Sequence, residues 1–283
     1  MDGREAVRVW LSAPPLMRYN EVECRQQGEP YTVLRHIVSC KGGCVLLRML
    51  FGEQPRQWEG SSLETVQAIE RFIELAYRAS DRSEDAKIAD SYRTYGIWAE
   101  GLLRAMDELE QSRYAAKHYA ELIRHDRIDA FTPEESLHYD RHVYFDKNAY
   151  IRVFSLLDKF GMVLNELLAL NTERMKSRFS YFTVLRNMRL NRMHVELMEP
   201  LNELKERYRE PFSRLRSRRN TEIHQMNAEL QDDLRKSLTR RGDRARLEDI
   251  HGNMEDLDCA WDMIEQTLGI SFRFASKRMK WIH

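Results

Sequence analysis

The chain has 283 residues, its 45 lysines and arginines balance 45 aspartates and glutamates, and 42% of its residues are apolar. This length allows one large domain or two ordinary domains with a buried core. Charged residues make up 32% of the chain, which excludes a membrane bundle, and no apolar run approaches 18 residues, so we predict no membrane span. The first ten residues contain no apolar signal core, and we therefore expect a cytoplasmic protein.

The charges are unevenly distributed along the chain. Residues 1–146 contain 19 basic and 25 acidic residues, whereas residues 147–283 contain 26 basic and 20 acidic residues. Within residues 174–219 there are 13 lysines and arginines and only 5 glutamates. A neutral protein with one basic region can still bind phosphate groups there, although such runs are also typical of solvated helix faces.

The first half of the chain shows helical periodicity after an ambiguous beginning. Residues 31–50 fit either a helix or a hairpin that turns at Lys41-Gly42-Gly43, and we favour the helix. A helix is predicted over 62–79, with a capping box formed by Ser61 and Glu64. Further helices are predicted over 86–109, near 113–125, and from Thr132-Pro133.

The second half shows the same periodicity more regularly. We predict a helix from an Asp146 cap to about Asn171, a helix marked by Phe179 to Met188, and two helical pieces that restart at Pro200 and Pro211. A further helix begins near Asn220 and ends at Gly242, and a last helix runs from Leu247 until Gly269 stops it. The fold class is therefore predicted to be all-α, with a helical region of unknown role at 1–145 and a helical bundle at 146–283.

Neither a cofactor nor a metal is predicted. The motifs GxGxxG, GxxxxGK[ST], HExxH and GxSxG are absent. His36, Cys40 and Cys44 would share one helix face, but they lack the CxxC pair typical of zinc sites. The four cysteines are expected to be free thiols, and His138 and His142 are expected to lie on the surface.

The segment Arg219-Asn220-Thr221-Glu222-Ile223-His224 ends the basic region and can serve phosphate chemistry. Asn220 or Thr221 is a plausible N-cap, so that irregular backbone at Arg219 would bring this arginine close to His224. The amide groups of a helix N-terminus attract phosphate. A histidine can transfer the proton of a ribose 2′-hydroxyl, and an arginine can stabilise the charged phosphorane.

The Arg-Asn-x3-His pattern in an all-α chain resembles the R-x(4–6)-H signature of the HEPN (higher eukaryotes and prokaryotes nucleotide-binding) superfamily, and the resemblance covers about 147–283. It implies a four- to five-helix bundle that dimerises and places arginine and histidine of two copies in one composite site. It also implies a metal-independent endoribonuclease that leaves 2′,3′-cyclic phosphate ends, acting as a toxin or an antiviral effector, with an antitoxin or regulatory protein as a further partner.

In this interpretation Arg219, His224 and Asn220 form the catalytic set, and four arginines guide the RNA backbone: Arg186, Arg189, Arg216 and Arg218. Five Arg/His pairs in the chain have the same spacing, so the spacing alone selects none of them. The main competing pair is Arg189 with His194, in which Leu190 replaces the polar second residue. Two alternatives stay open: a HEPN-like module that binds RNA or a nucleotide without cleavage, and a helical interaction protein.

Overall fold

The computed structural model describes residue 48 and residues 51–53, 56–224 and 249–279, and this part of the chain is helical without a strand. The all-α prediction is therefore confirmed. The described helices belong to one compact unit. Three predictions fall on residues outside the described part of the chain. They are the ambiguous 31–50 segment apart from Arg48, the zinc hypothesis for His36, Cys40 and Cys44, and residues 225–242 of the helix predicted to end at Gly242.

Helix α1 spans Gly60–Arg82, close to the predicted 62–79, and buries an apolar face that includes Val66, Ile69 and Ile73. Its first turn differs from the prediction, because the helix begins after Glu59 without a side-chain cap. The capping box of Ser61 and Glu64 was therefore wrong.

Helix α2 spans Ala86–Glu121 and joins the two helices that the sequence predicted over 86–109 and near 113–125. No proline or glycine separates them, so nothing in the backbone interrupts the helix. Asp85 caps its start by accepting hydrogen bonds from the amides of Lys87 at 2.8 Å and Ile88 at 3.3 Å.

Helix α3 spans Pro133–Leu167 and begins at the predicted Thr132-Pro133 start, where Thr132 and Glu135 form a capping box. The helix start predicted at Asp146 was wrong, because Asp146 lies inside α3 and is buried. His142 also contradicts its prediction: only 2% of it is exposed, and its Nδ1 lies 2.9 Å from the Ala116 carbonyl oxygen. This contact fixes α3 against α2.

Three shorter helices follow: α4 at Tyr181–Leu190, α5 at Val195–Arg207 and α6 at Arg209–His224. Pro211 lies in the first turn of α6 as predicted, where its missing N–H is tolerated. Pro200 does not restart the chain, because it lies inside α5.

Helix α7 spans Ile250–Met279 and continues through Gly269, which was predicted to end it. A Cβ atom at Gly269 would lie 2.7 Å from Oγ1 of Thr65, so this glycine permits the close approach of α7 to α1. The Thr65 hydroxyl donates a hydrogen bond of 3.1 Å to the carbonyl of Glu265. Gly269 is therefore a packing residue here.

Helices α1, α2, α3 and α7 pack around one apolar core whose largest fully buried side chains include Phe72, Phe160, Tyr181 and Phe272. Helix α4 packs closely on α3 at Gly161, where a Cβ atom would lie 2.8 Å from the Cα of Tyr181. Helix α6 lies against α3 and α7. Among the described helices, none is both long enough and apolar enough to cross a membrane.

Candidate functional site

The Arg219–His224 motif lies in the last turns of α6, in continuous helix. The predicted N-cap at Asn220 or Thr221 was therefore wrong, because this helix begins at Arg209 and continues without interruption to His224. Since an α-helix advances about 100° per residue, positions 219 and 224 are about 140° apart around the axis. Irregular backbone does not bring the two positions together within one chain.

Arg219 packs against α3 with its side chain half-buried. Its guanidinium carbon lies 4.8 Å from the ring centroid of Phe154, a cation–π distance. Its Nε is buried and has no hydrogen-bond partner among the described residues. A buried donor without a partner is costly, so this guanidinium retains capacity for an acceptor that the described chain does not provide.

Arg216 lies one turn before Arg219 and is exposed, with its guanidinium carbon 5.1 Å from the ring of Phe182 on α4. Phe212, on the same face of α6, joins the two sides of this site. Its ring makes edge contacts with Phe154 at 6.1 Å and with Phe182 at 5.9 Å. Three phenylalanines from α3, α4 and α6 thus support two arginines. We call these five residues the arginine–phenylalanine site.

Asp158 lies at the edge of this site, one turn after Phe154 on α3. The backbone amide of Tyr181 donates a long hydrogen bond of 3.4 Å to its Oδ1. Asp158 is solvent-exposed, although its carboxyl group is partly buried, and this burial raises its pKa. The Tyr181 amide, and then the charges of Arg219 and Arg216, oppose the shift of this pKa.

Arg218 points toward the interior of the bundle. It forms an ion pair with Asp146 of α3, and its guanidinium carbon lies 4.8 Å from the ring of Tyr150. One turn later on α6, Glu222 pairs with Lys147 at 3.2 Å. These contacts hold α6 in a defined register along α3 and thereby position Arg219.

Arg186 and Arg189 are exposed on α4. They follow Phe182 by four and seven residues, so the three positions share one face of the helix. Arg216 covers Phe182, and this face therefore continues the arginine–phenylalanine site along α4. Asn220 is exposed on α6. The side chain of His224 lies outside the described residues.

The competing pair is organised differently. His194 adopts a left-handed conformation with φ of 48° before α5, and its Nδ1 lies 2.6 Å from Nη1 of Arg278. Because arginine can only donate, Nδ1 accepts and Nε2 carries the proton toward the Leu168 carbonyl at 3.4 Å. Burial, and then the charge of Arg278, lower the pKa of His194 against the opposing effect of that carbonyl. Arg189 is not among these partners.

Sequence reasoning missed Asp158 and the α3 residues that face α6. Asp146, Tyr150, Phe154 and Asp158 recur every four residues, a spacing that places them along one side of a helix. That regularity was a usable signal, but the supposed helix start at Asp146 obscured it. In the described part of the chain, no group of three His, Cys, Asp or Glu residues is arranged to hold a metal ion.

A family model supports the interpretation of this helical region. Residues 98–276, well over half of the chain and including the Arg219–His224 motif, match the model described as HEPN_Cthe2314-like HEPN. No curated protein and no solved structure matches the chain. The matched segment begins within α2 and ends within the last turn of α7, so it includes all the helices that build the arginine–phenylalanine site. The chain therefore belongs to the HEPN superfamily, in its HEPN_Cthe2314-like family.

Proposed function

We propose that this protein is a metal-independent endoribonuclease in which Arg219 and His224 are catalytic. The observation that carries the proposal is the placement of Arg219: in a matching R-x4-H motif, its guanidinium has a buried Nε without a partner, and Arg216 lies one turn away. Two neighbouring guanidinium groups attract a phosphodiester, because both can donate charge-assisted hydrogen bonds to its oxygens.

The reaction uses the RNA itself as the nucleophile. The ribose 2′-oxygen attacks phosphorus and loses its proton, the bond to the 5′-oxygen breaks, and that oxygen gains a proton. The products are a 2′,3′-cyclic phosphate and a 5′-hydroxyl end. The His224 imidazole would transfer these protons, Arg219 would stabilise the charge that develops on the phosphorane, and Asn220 would orient one of these groups or the backbone.

The proposed active form is a homodimer with a composite site. Positions 219 and 224 are about 140° apart in one helix, so a site that uses both residues on one phosphate is more easily built from two copies. In a two-fold dimer, Arg219 of one copy would face His224 of the other, and the same pairing would recur at a second site.

Other parts of the chain have proposed roles around this centre. Arg186, Arg189 and Arg216 would guide the RNA backbone, whereas the ion pair of Arg218 with Asp146 supports a positioning role. The division at residue 145 stays a proposal, with the first part selecting substrates or docking partners. A toxin or antiviral role, an antitoxin partner and a cytoplasmic location are proposals of the same kind.

Cleavage of RNA in the presence of EDTA tests the proposal. We expect 2′,3′-cyclic phosphate products from the wild type, and losses of about 10²–10³-fold in both Arg219→Ala and His224→Ala. Each variant must retain the helical circular dichroism spectrum and the oligomeric mass in solution of the wild type. Full activity of His224→Ala would refute the catalytic assignment.

A mixing experiment tests the composite site. We expect neither variant alone to be active, whereas Arg219→Ala and His224→Ala copies would form a mixed dimer with one intact site. An equimolar mixture, half of it mixed dimers with one of two sites intact, should recover about a quarter of wild-type activity. A mixture that stays inactive while exchanging subunits would show that both residues act within one copy.

The second candidate is a module that binds RNA without cleaving it. The continuous helix through the motif favours it, because in one copy the two residues do not converge. It predicts RNA affinity that falls steeply with salt and no cleavage products. Replacing Arg186 and Arg189 would then reduce the salt dependence of binding.

A further inference from the structure

A short segment before α1 lies against α2 and α7. Its described residues are 48, 51–53 and 56–58, and we call them the strap. The ion pairs and ring contacts that attach the strap to the bundle are with α2 and α7, whereas the arginine–phenylalanine site is built from α3, α4 and α6. The strap is therefore a feature separate from that site.

Two arginines of the strap meet at one carboxylate oxygen of α2. Nη2 of Arg48 donates a hydrogen bond of 2.6 Å to Oε1 of Glu110, and Nη1 of Arg56 forms an ion pair of 2.9 Å with the same oxygen. The side chain of Glu110 is only 4% exposed, and those of the two arginines are mostly buried. Each guanidinium also covers a ring, Arg48 that of Tyr114 at 3.6 Å and Arg56 that of Trp58 at 4.0 Å.

Two ring contacts attach the rest of the strap. Phe51 stacks on His118 of α2, with ring centroids 4.4 Å apart, and Trp58 lies parallel to Trp261 of α7, with 6.2 Å between centroids. Trp261 is itself buried. The strap therefore covers a face of the bundle that carries one buried carboxylate and the rings of Tyr114, His118 and Trp261.

The strap contributes little to the apolar core. Among the described residues, the core begins at Ala68, and of the strap only Trp58 packs against it. Loss of the strap contacts therefore leaves the packing between the helices in place, as is typical of a segment that opens locally.

We infer that the strap is a releasable cover that Glu110 holds closed. Without the charge of this carboxylate, two guanidinium groups would lie close together with little water, so Arg48 and Arg56 leave α2 together while the helices stay folded. Opening uncovers the three rings and the position of the carboxylate. The inference does not depend on the proposed function, because the strap and its partners lie outside the proposed catalytic set.

Limited digestion with trypsin tests the inference directly, because the protease must draw an arginine side chain into its own acidic pocket before it cuts the bond that follows. Arg48 and Arg56 should be protected in the wild type, where Glu110 holds both side chains. In Glu110→Gln, we expect the bonds after both arginines to be cut at least about tenfold faster, since cleavage follows the population of the open form. Mass spectrometry identifies each bond, and circular dichroism checks that the helices are retained.

Glu108→Gln is the matched control, because Glu108 also lies on α2 but is 50% exposed and pairs with Arg152 of α3. It should leave both cleavage rates within about twofold of the wild type, since an exposed ion pair contributes little. The bond after Arg82, which is exposed in the last turn of α1, serves as the internal reference and should be cut at the same rate in all three proteins.

Hydrogen exchange in the wild type gives a second measurement that needs no mutation. The amides of Phe51 and Glu53 donate hydrogen bonds of 3.1 Å and 2.9 Å to the carbonyl of Arg48. Both amides should exchange at a similar rate, through one local opening, and faster than the amides of Leu102 and Met106 in the buried part of α2.

Four results would overturn the inference. They are equal cleavage of the wild type and Glu110→Gln, equal effects of the Glu108 and Glu110 substitutions, release of only one of the two bonds, and exchange of the strap amides as slow as that of the buried α2 amides. If Glu110→Gln does not fold, the exchange measurement decides. The presence or absence of RNA cleavage changes none of these outcomes, so the proposed function and this inference can fail separately.

Discussion

Replacement of Gly161 by alanine tests the close approach of α4 to α3, on which the arginine–phenylalanine site depends. The new Cβ would lie 2.8 Å from the Cα and 3.0 Å from the amide nitrogen of Tyr181. Both are backbone atoms, so rotation of a side chain cannot relieve the contact. Helix α4 must move away, and Phe182 must move with it.

The magnitude follows from two opposing contributions. Within a helix, alanine is more favourable than glycine by about 1 kcal/mol. Overpacking costs about 1–3 kcal/mol, and the upper part of that range applies where backbone must shift. We therefore expect Gly161→Ala to lower the free energy of unfolding by about 1–2 kcal/mol. RNA affinity should fall as well, because the support of Arg216 moves.

Gly101 in α2 offers a matched control, because the nearest atom to its Cβ position is Nη2 of Arg104 at 3.9 Å. Gly101→Ala should stabilise the protein by up to about 1 kcal/mol through helix propensity alone. Urea unfolding followed by circular dichroism measures both variants. If Gly161→Ala is as stable as Gly101→Ala, the conclusion that α4 packs closely on α3 at Gly161 is refuted.

Three further predictions concern individual contacts. Asp146→Asn should lower the free energy of unfolding by about 2–3 kcal/mol, because the Arg218 side chain, only 21% exposed, loses its charged partner. Urea unfolding measures this, and a loss below about 0.5 kcal/mol would contradict the prediction. The amide of Thr132, and then His125, lower the pKa of Glu135 to about 2, so its stabilising contribution should be present at pH 7 and lost as the pH falls from about 4.5 toward 2. Thermal unfolding of Glu135→Gln should accordingly differ from the wild type at pH 7 and converge with it near pH 2. His194→Asn should retain RNA cleavage, since asparagine tolerates the left-handed backbone; loss of cleavage in the folded variant would favour Arg189 and His194 as the catalytic pair.

The sequence predicted the helices well where apolar periodicity was long, and poorly where a single polar residue was used to divide them. The helix start predicted at Thr132-Pro133 is present because capping depends on local chemistry, and Thr132 and Glu135 form a capping box there. Asp146 and Asn220 have the same capping chemistry but lie inside helices, because nothing in the backbone ends the helix there. The buried Asp146 instead pairs with Arg218.

The arginines of the candidate site show the same limit. The sequence interpretation grouped Arg186, Arg189, Arg216 and Arg218 as guides of the RNA backbone. Three of these, Arg186, Arg189 and Arg216, are exposed, and Arg216 covers the ring of Phe182 on the helix face that Arg186 and Arg189 share. The sequence interpretation gave Arg218 the same RNA-guiding role as the other arginines, whereas α6 directs its side chain toward Asp146. One residue along a helix changes the direction of a side chain by about 100°, so only the packed helix decides which arginine remains available.

The sequence by itself determined that the chain is all-α, which helical faces are apolar, and that an Arg-Asn-x3-His motif lies at the end of its basic region. These properties depend only on residue type and short spacings. Only the tertiary structure decided that Phe154, Phe182 and Phe212 support Arg216 and Arg219. These contacts join residues up to 65 positions apart, and their geometry is set by how α4 and α6 pack on α3. Local sequence patterns contain no record of that packing.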